Sequence, residues 1–275
     1  MLSVFYEKDI GITVETDCLD IGRTLDCGQA FRWCEVSPST WHGVAFGKAL
    51  TVSQTENKIV FHGVGKEDFE EIWKPYFDLE RDYSAICERL SADVHLERAI
   101  TECPGIRILR QEPWEALCSF IISQNNNIPR IKGIIDRLCR LLGEDLGGGD
   151  YSFPSAQRVA EAGVEGLAPI RAGFRAKYII DAAEKFANGD IDVEKIYSSP
   201  LDGGRDELIK IKGVGEKVAR CTLLYGFGKV DSFPVDVWVK RIMSELYPEG
   251  LPECTAGVSG IAQQFLFHWR RTIEN

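Results

Sequence analysis

The sequence predicts an α+β fold, with a small N-terminal antiparallel β-sheet and a helix followed by an all-helical bulk. Three observations carry this. Up to about residue 65, apolar and polar residues alternate, as in "GITVETD", "STWHGVAFG" and "KALTVSQTENKIVFHG", the period-two pattern of a sheet with one face solvated. At "KEDFEEIWKPYFDLE" the period changes, and Phe69, Ile72, Trp73 and Tyr76 recur at helical spacing. From there the pattern stays mainly helical to the end.

Within the strand region, a polar Thr-Glu-Asn turn divides "KALTVSQTENKIVFHG" into a hairpin. "PWEALCSFIISQ" is apolar nearly all round, which predicts a central buried helix. "PRIKGIIDRLCRLLGE" carries Ile131, Ile134, Ile135, Leu138 and Leu142 as one apolar stripe with basic residues opposite. "SFPSAQRVAEAG" opens with turn and capping residues, and "AKYIIDAAEKFANGDID" runs helically to an Asn-Gly stop. "GEDLGGGD" is the flexible-looking stretch, lying between helices. The expected division is residues 1–95 for the sheet domain and 96–275 for a helical domain of eight to ten elements.

A hydrophobic share of 44% with 27% charged residues is an ordinary globular balance. No run approaches the roughly 18 apolar residues of a membrane span, and the start "MLSVFYEKDI" lacks a signal-peptide pattern. Nine cysteines, an odd count with no Cys-x-x-Cys pair, argue against a disulfide framework, a zinc site or an iron-sulfur cluster. A soluble, cytoplasmic, monomeric chain with reduced thiols is expected, with Cys118 and Cys139 as small core residues. The net charge of -10 falls mostly on residues 1–100, with 18 acidic side chains against 10 basic. Residues 205–229 reverse the sign, with six basic against three acidic. A polyanionic partner is compatible with such a chain, since binding follows the local field at the contact.

"RDELIKIKGVGEKVARCTLLYGFG" parses as helix, Gly-Val-Gly turn and second helix, spanning 205–227. Such a turn at a helix N-terminus presents N–H groups to an anion, here through Gly213 and Gly215. On these residues alone an ordinary helical hairpin is the better reading. "SFPVDVWVKRIM" then places Asp236, after Pro234, 19 residues beyond Lys217. A lone aspartate at that place reads as an N-cap.

Taken together, these segments resemble the helix-hairpin-helix and Gly/Pro-Asp signature of the base-excision DNA glycosylases. The resemblance implies that Lys217 is a nucleophile and Asp236 its acidic partner. A lysine amine attacking a sugar C1′ displaces the base, and the resulting Schiff base permits β-elimination. The amine must be neutral to attack, whereas a free lysine titrates near pH ~10.4. The positive end of a helix dipole and desolvation both favour the neutral form, so Asp236 is expected to stabilise positive charge at the sugar.

Four further segments are similar to the Ogg-type 8-oxoguanine glycosylases. "CGQAFRW" implies that the carbonyl of Gly28 accepts from the N7–H that 8-oxoguanine has and guanine lacks, a difference of about 1–3 kcal/mol. "SQNNNIPR" implies Asn125 and Arg130 at the base opposite the lesion, in a loop of three asparagines suited to bonding outside the fold. "AGFRAKY" implies Phe174 as a wedge in the base stack and Arg175 as the reader of the opposite cytosine. "AQQFLFHW" implies Gln263 on the Watson–Crick edge and Phe267 against the face of a flipped base, with Cys221 on the other face and Pro234 beside them.

The resemblance covers residues 11–270 and implies double-stranded DNA with 8-oxoguanine as partner; the compact chain, without basic tails or a targeting peptide, leads us to expect a prokaryotic member of the family. The resemblance implies no cofactor, although family hairpins hold a monovalent or calcium ion on carbonyls corresponding to Ile209, Ile211 and Val214. Trp238 departs from the pattern, standing where a phosphate-contacting histidine is expected. Two alternatives remain at this point: a related bifunctional enzyme with a broader oxidised or formamidopyrimidine purine range, and a non-catalytic DNA-binding module.

Overall fold

The computed structural model describes residues 3–7 and 10–274. Its larger sheet has six antiparallel strands in the order β1-β2-β6-β5-β4-β3. These are β1 (Ser3–Glu7), β2 (Gly11–Glu15), β3 (Trp33–Ser37), β4 (Thr40–Ala45), β5 (Lys48–Thr55) and β6 (Lys58–His62), with helix α1 (Ile21–Leu25) between β2 and β3. The turn before β6 is the expected one, with Glu56 at φ 55°.

The stretch with Phe69, Trp73 and Tyr76 is helical but not uniformly α. Segments α2 (Lys66–Asp68) and α3 (Lys74–Tyr76) flank a π-helical turn, Phe69–Trp73. Its aromatic side chains cover the sheet: Phe61 meets Phe69 edge-on at 5.2 Å, and the Trp33 indole N–H donates to the Tyr76 hydroxyl at 2.7 Å.

Eleven α-helices follow among the described residues. They are α4 (Tyr83–Leu90), α5 (Val94–Glu102), α6 (Pro113–Ser123), α7 (Ile128–Leu142), α8 (Ala156–Gly166), α9 (Ala176–Ala187), α10 (Val193–Ser198), α11 (Leu201–Leu208), α12 (Glu216–Tyr225), α13 (Val237–Leu246) and α14 (Ser259–Glu274). Ten of them, α5 to α14, reach into residues 96–275. Helix α6 is buried from Trp114 to Ile122, as its all-round apolarity requires. The stripe of α7 is buried at Ile131, Ile134, Ile135 and Leu138. Cys118 and Cys139 are core residues, as expected.

The buried side chains form two clusters, one from residues 12–79 with Leu109 and one from 83–269 that also takes Cys27 and Phe31. Helices α4 and α5 turn their apolar faces to the helical core. The stretch "GEDLGGGD" is a small hairpin of β7 (Asp145–Gly147) and β8 (Asp150–Tyr151). It is fastened to the sheet by His42 on Asp150 at 2.9 Å and by the Arg32 guanidinium on the Tyr151 carbonyl.

Candidate active site

Helix α12 begins after Gly215, its N-cap, so Lys217 lies in the first turn. Helix α13 begins after Asp236, whose Oδ1 accepts the Val239 N–H at 2.8 Å. The aspartate is thus an N-cap as well as a pocket residue. Helix α14 supplies a third wall.

A small pocket of about 50 Å³ opens between these elements, lined by Gly28, Lys217, Cys221, Pro234, Asp236, Gln263 and Phe267. The seven residues expected at a base pocket therefore converge although 239 positions separate the first from the last. The cavity has room for little more than water, so a nucleobase enters only as side chains part. Gly28 has φ 82°, a left-handed conformation that favours glycine. Burial, partly offset by nearby Lys217, pushes the Cys221 thiol up. Gln263 is 5% exposed, and its Oε1 has no hydrogen-bond partner among the described residues.

Sequence reasoning missed several neighbours. Phe120, Tyr225, Cys27 and Gln264 also line the pocket. The Lys217 amine stands 3.4 Å from the Ser123 hydroxyl and 5.1 Å from the centre of the Phe120 ring. Phe120 and Ser123 share one face of α6 by their spacing of three. A serine at the end of the largely apolar α6 was the available signal, but nothing local told which helix would face it.

Around the pocket the DNA-facing expectations divide. In the hairpin turn, Gly213 has φ 82° and a side-chain carbon there would lie 2.4 Å from the Tyr178 ring, whereas one at Gly215 would meet nothing within 4 Å. Gly213 is therefore required by conformation and close approach, and Gly215 leaves an open surface. Phe174 is 47% exposed after the positive-φ Gly173 and meets Tyr178 edge-on at 5.9 Å. The exposed aromatic and the hairpin thus share Tyr178 as a support. Asn125 (φ 48°) is exposed on the neighbouring loop, and Arg130 is exposed in the first turn of α7.

Arg175, the expected reader of the opposite cytosine, lies beneath the asparagine loop. It is 2% exposed, donating from Nε to the Gln124 carbonyl at 2.8 Å and from Nη2 to the Asn125 carbonyl at 2.8 Å, with further bonds to Gln124 and to Ala172. Its guanidinium clamps the asparagine loop from beneath, since left-handed Asn125 leaves those carbonyls in need of donors. The loop is also less outward-facing than its composition suggested. The Asn126 side chain donates to the Ile122 carbonyl at 3.0 Å, and Asn127 caps α7 by accepting the Arg130 N–H at 3.0 Å.

The basic segment 205–229 is largely paired within the fold. Arg205 meets Asp206 at 2.7 Å, Lys210 meets Glu207 at 2.6 Å, and Arg220 meets Glu216 at 2.7 Å and Asp202 at 3.1 Å. The Arg205–Asp206 pair is exposed and contributes little, as exposed ion pairs do, so a phosphate can compete for it, whereas the Glu207 carboxylate is buried and shared with Lys195. Trp238, in place of the expected histidine, carries the Arg241 guanidinium 5.5 Å from its ring centre, beside exposed Val235 and Val237.

Among the described residues no group of three or more His, Cys, Asp or Glu side chains is placed to hold a metal ion. At the hairpin the Ile211 carbonyl accepts the Val214 N–H at 3.0 Å. One lone pair of that oxygen remains, and a main-chain oxygen set suits a hard cation.

A helix-hairpin-helix with a lysine and a capping aspartate facing one pocket defines a base-excision DNA glycosylase with lyase activity. Residues 118–250 match the HhH-GPD superfamily of base excision DNA repair proteins, and residues 11–117 match the N-terminal domain of 8-oxoguanine DNA glycosylase. The chain belongs to the Ogg-type family of 8-oxoguanine N-glycosylases/DNA lyases. It is 31% identical over 257 residues to the N-glycosylase/DNA lyase of Saccharomyces cerevisiae, covering 83% of this chain and 68% of that one. It is 34% identical to the corresponding enzyme of Arabidopsis thaliana, covering 82% and 65%. The chain thus spans about two thirds of the length of these relatives. The Clostridium acetobutylicum 8-oxoguanine glycosylase/lyase, solved with double-stranded DNA containing cytosine opposite 8-oxoguanine, superposes with a TM-score of 0.90 at 36% identity, covering 100% of this chain and 99% of that one.

Proposed function

We propose that the chain excises 8-oxoguanine from double-stranded DNA through a Schiff base on Lys217 and then cuts the strand by β-elimination. The observation that carries this reading is the Gln263 amide oxygen, buried without a partner in the pocket that also holds Lys217 and Asp236. A buried acceptor left unmade costs about 1–3 kcal/mol, so the pocket is built for a ligand that brings donors. A guanine-type Watson–Crick edge brings two, N1–H and the 2-amino group. The other buried atom in that condition, Asp78 Oδ1, lies 2.7 Å from Arg110 Nη2 and is satisfied as an ion pair.

In this reading the flipped base slides between Phe267 and Cys221, whose neutral thiol presents an apolar face. The Gly28 carbonyl accepts the lesion's N7–H. The Lys217 amine attacks C1′, the C1′–N9 bond breaks with its electron pair passing to the base, and a proton neutralises the departing nitrogen. Asp236 stabilises the positive charge at the sugar through its carboxylate. The Lys217 nitrogen lone pair then forms the imine as the C1′–O4′ bond breaks, O4′ taking up a proton and the nitrogen having lost one. Loss of a C2′ proton from the imine expels the 3′ phosphate, and water then releases Lys217. Phe174 fills the vacated stack. Asn125 and Arg130, exposed above the Arg175 clamp, face the opposite base, with cytosine preferred.

The test is borohydride trapping on a duplex with one 8-oxoguanine opposite cytosine, beside the same duplex with guanine. A covalent adduct with the lesion alone, lost in Lys217→Gln while DNA binding persists, is expected. Adduct formation or strand cutting by the Lys217→Gln variant would overturn the assignment.

A further inference from the structure

The pocket residue Gly28 sits in a closed ring of hydrogen bonds that begins and ends on Tyr225. The Tyr225 hydroxyl donates to Gln264 Oε1 at 2.5 Å, and Gln264 Nε2 donates to the Cys27 carbonyl at 3.1 Å. On the other side, the Tyr225 carbonyl accepts the Gln111 N–H at 2.7 Å, and Gln111 Nε2 donates to the Gln29 carbonyl at 2.7 Å. The Gln29 side chain is held in turn by the Arg107 carbonyl at 2.7 Å and the Leu109 N–H at 2.9 Å. Gln29 and Gln264 are fully buried. The orientation of the Gln264 amide follows from its surroundings, because the reverse orientation would set its oxygen against the Cys27 carbonyl, acceptor on acceptor.

The arrangement has a geometric consequence. The Cys27 carbonyl belongs to the peptide plane before Gly28, and the Gln29 carbonyl to the plane after Gln29. Both planes are anchored, by Gln264 and by Gln111. Between them lies the plane that carries the Gly28 carbonyl, which can reorient only through the torsions of Gly28 and Gln29. A glycine is the residue least able to restrain its own torsions, so the restraint comes from its neighbours.

We infer that Gln264, oriented by Tyr225, is a positioning residue for base selection, fixing the Gly28 carbonyl at the angle that separates a donor from a lone pair at N7. This rests on the reading of Gly28 as the carbonyl that meets the base. Selection by one acceptor depends on angle, since a hydrogen bond weakens steeply away from linearity. A carbonyl free to swing bonds the lesion less well and repels guanine less.

The test compares the wild type with Gln264→Met and Tyr225→Phe in single-turnover reactions of the full chain. Three duplexes are used, with 8-oxoguanine, with guanine and with a preformed abasic site, the last requiring no base recognition. Gln264→Met is expected to lower 8-oxoguanine excision, relative to abasic cutting, by about tenfold or more. Tyr225→Phe, which keeps the ring stacked on Phe120 at 5.2 Å, is expected to lower it about threefold, with no added effect in the Gln264→Met background. The excision ratio of 8-oxoguanine to guanine falls in both variants. A parallel fall on the 8-oxoguanine and abasic duplexes, or an unchanged ratio in Tyr225→Phe, overturns the inference. A wild type that cuts abasic sites but shows no preference for 8-oxoguanine overturns the reading of the pocket itself, and the inference with it.

Discussion

One carboxylate oxygen of Asp236 accepts the Val239 N–H at 2.8 Å, fixing the acid at the start of α13 and at the pocket wall at once. The two roles are separable because asparagine caps a helix about as well as aspartate. Asp236→Ala is expected to cost about 1 kcal/mol of stability and to slow excision about 100-fold or more. Asp236→Asn should keep the melting temperature and still lose excision. Thermal unfolding and single-turnover excision on the two variants check this, and an active Asp236→Asn would remove the electrostatic role.

The two hairpin glycines predict opposite outcomes. A methyl at Gly213 would lie 2.4 Å from the Tyr178 ring at φ 82°, so Gly213→Ala is expected to destabilise by about 2–4 kcal/mol from overpacking and left-handed strain together. Gly215→Ala meets open space and should cost no more than about 1 kcal/mol, as a poorer N-cap of α12, while weakening DNA affinity. Denaturant unfolding beside DNA titrations distinguishes the two, and Tyr178→Ala should relieve part of the Gly213→Ala penalty.

Arg175 predicts a loop defect. Arg175→Ala leaves the Gln124 and Asn125 carbonyls without their donor, at about 1–3 kcal/mol. Arg175→Lys should restore little, because an ammonium cannot reproduce the fork. Hydrogen exchange of the 124–127 amides should rise in both variants; unchanged protection would show that the clamp does not hold the loop.

Burial pushes the thiols of Cys27 and Cys139 from an ordinary value of 9.0 up to about 12. Between these limits the folded chain holds protons that the unfolded chain has released. Their contribution to stability is therefore full below about pH 9 and is lost as pH rises toward about 12. The urea midpoint should fall between about pH 8 and about pH 11, and Cys139→Ala should flatten that slope.

Much of this molecule is legible in its sequence. Alternation in "KALTVSQTENKIVFHG" fixed a hairpin, the stripe from Ile131 to Leu138 fixed the buried face of α7, and the order of short motifs pointed to Gly28, Lys217, Asp236, Gln263 and Phe267. These signals are local, set by period, turn chemistry and caps. "GEDLGGGD" misled because a glycine-rich hairpin has the composition of a linker, and its order comes from His42 and Arg32 far along the chain.

What the sequence by itself determined is the order of its short motifs and which faces are apolar. Tertiary structure alone decided which of them meet. It set Ser123 and Phe120 beside the Lys217 amine, turned Arg175 inward onto the asparagine loop, and closed Tyr225, Gln264 and Gln111 around Gly28. Those relationships depend on how helices cross and on which buried carbonyls lack donors, and no pattern within one segment records either.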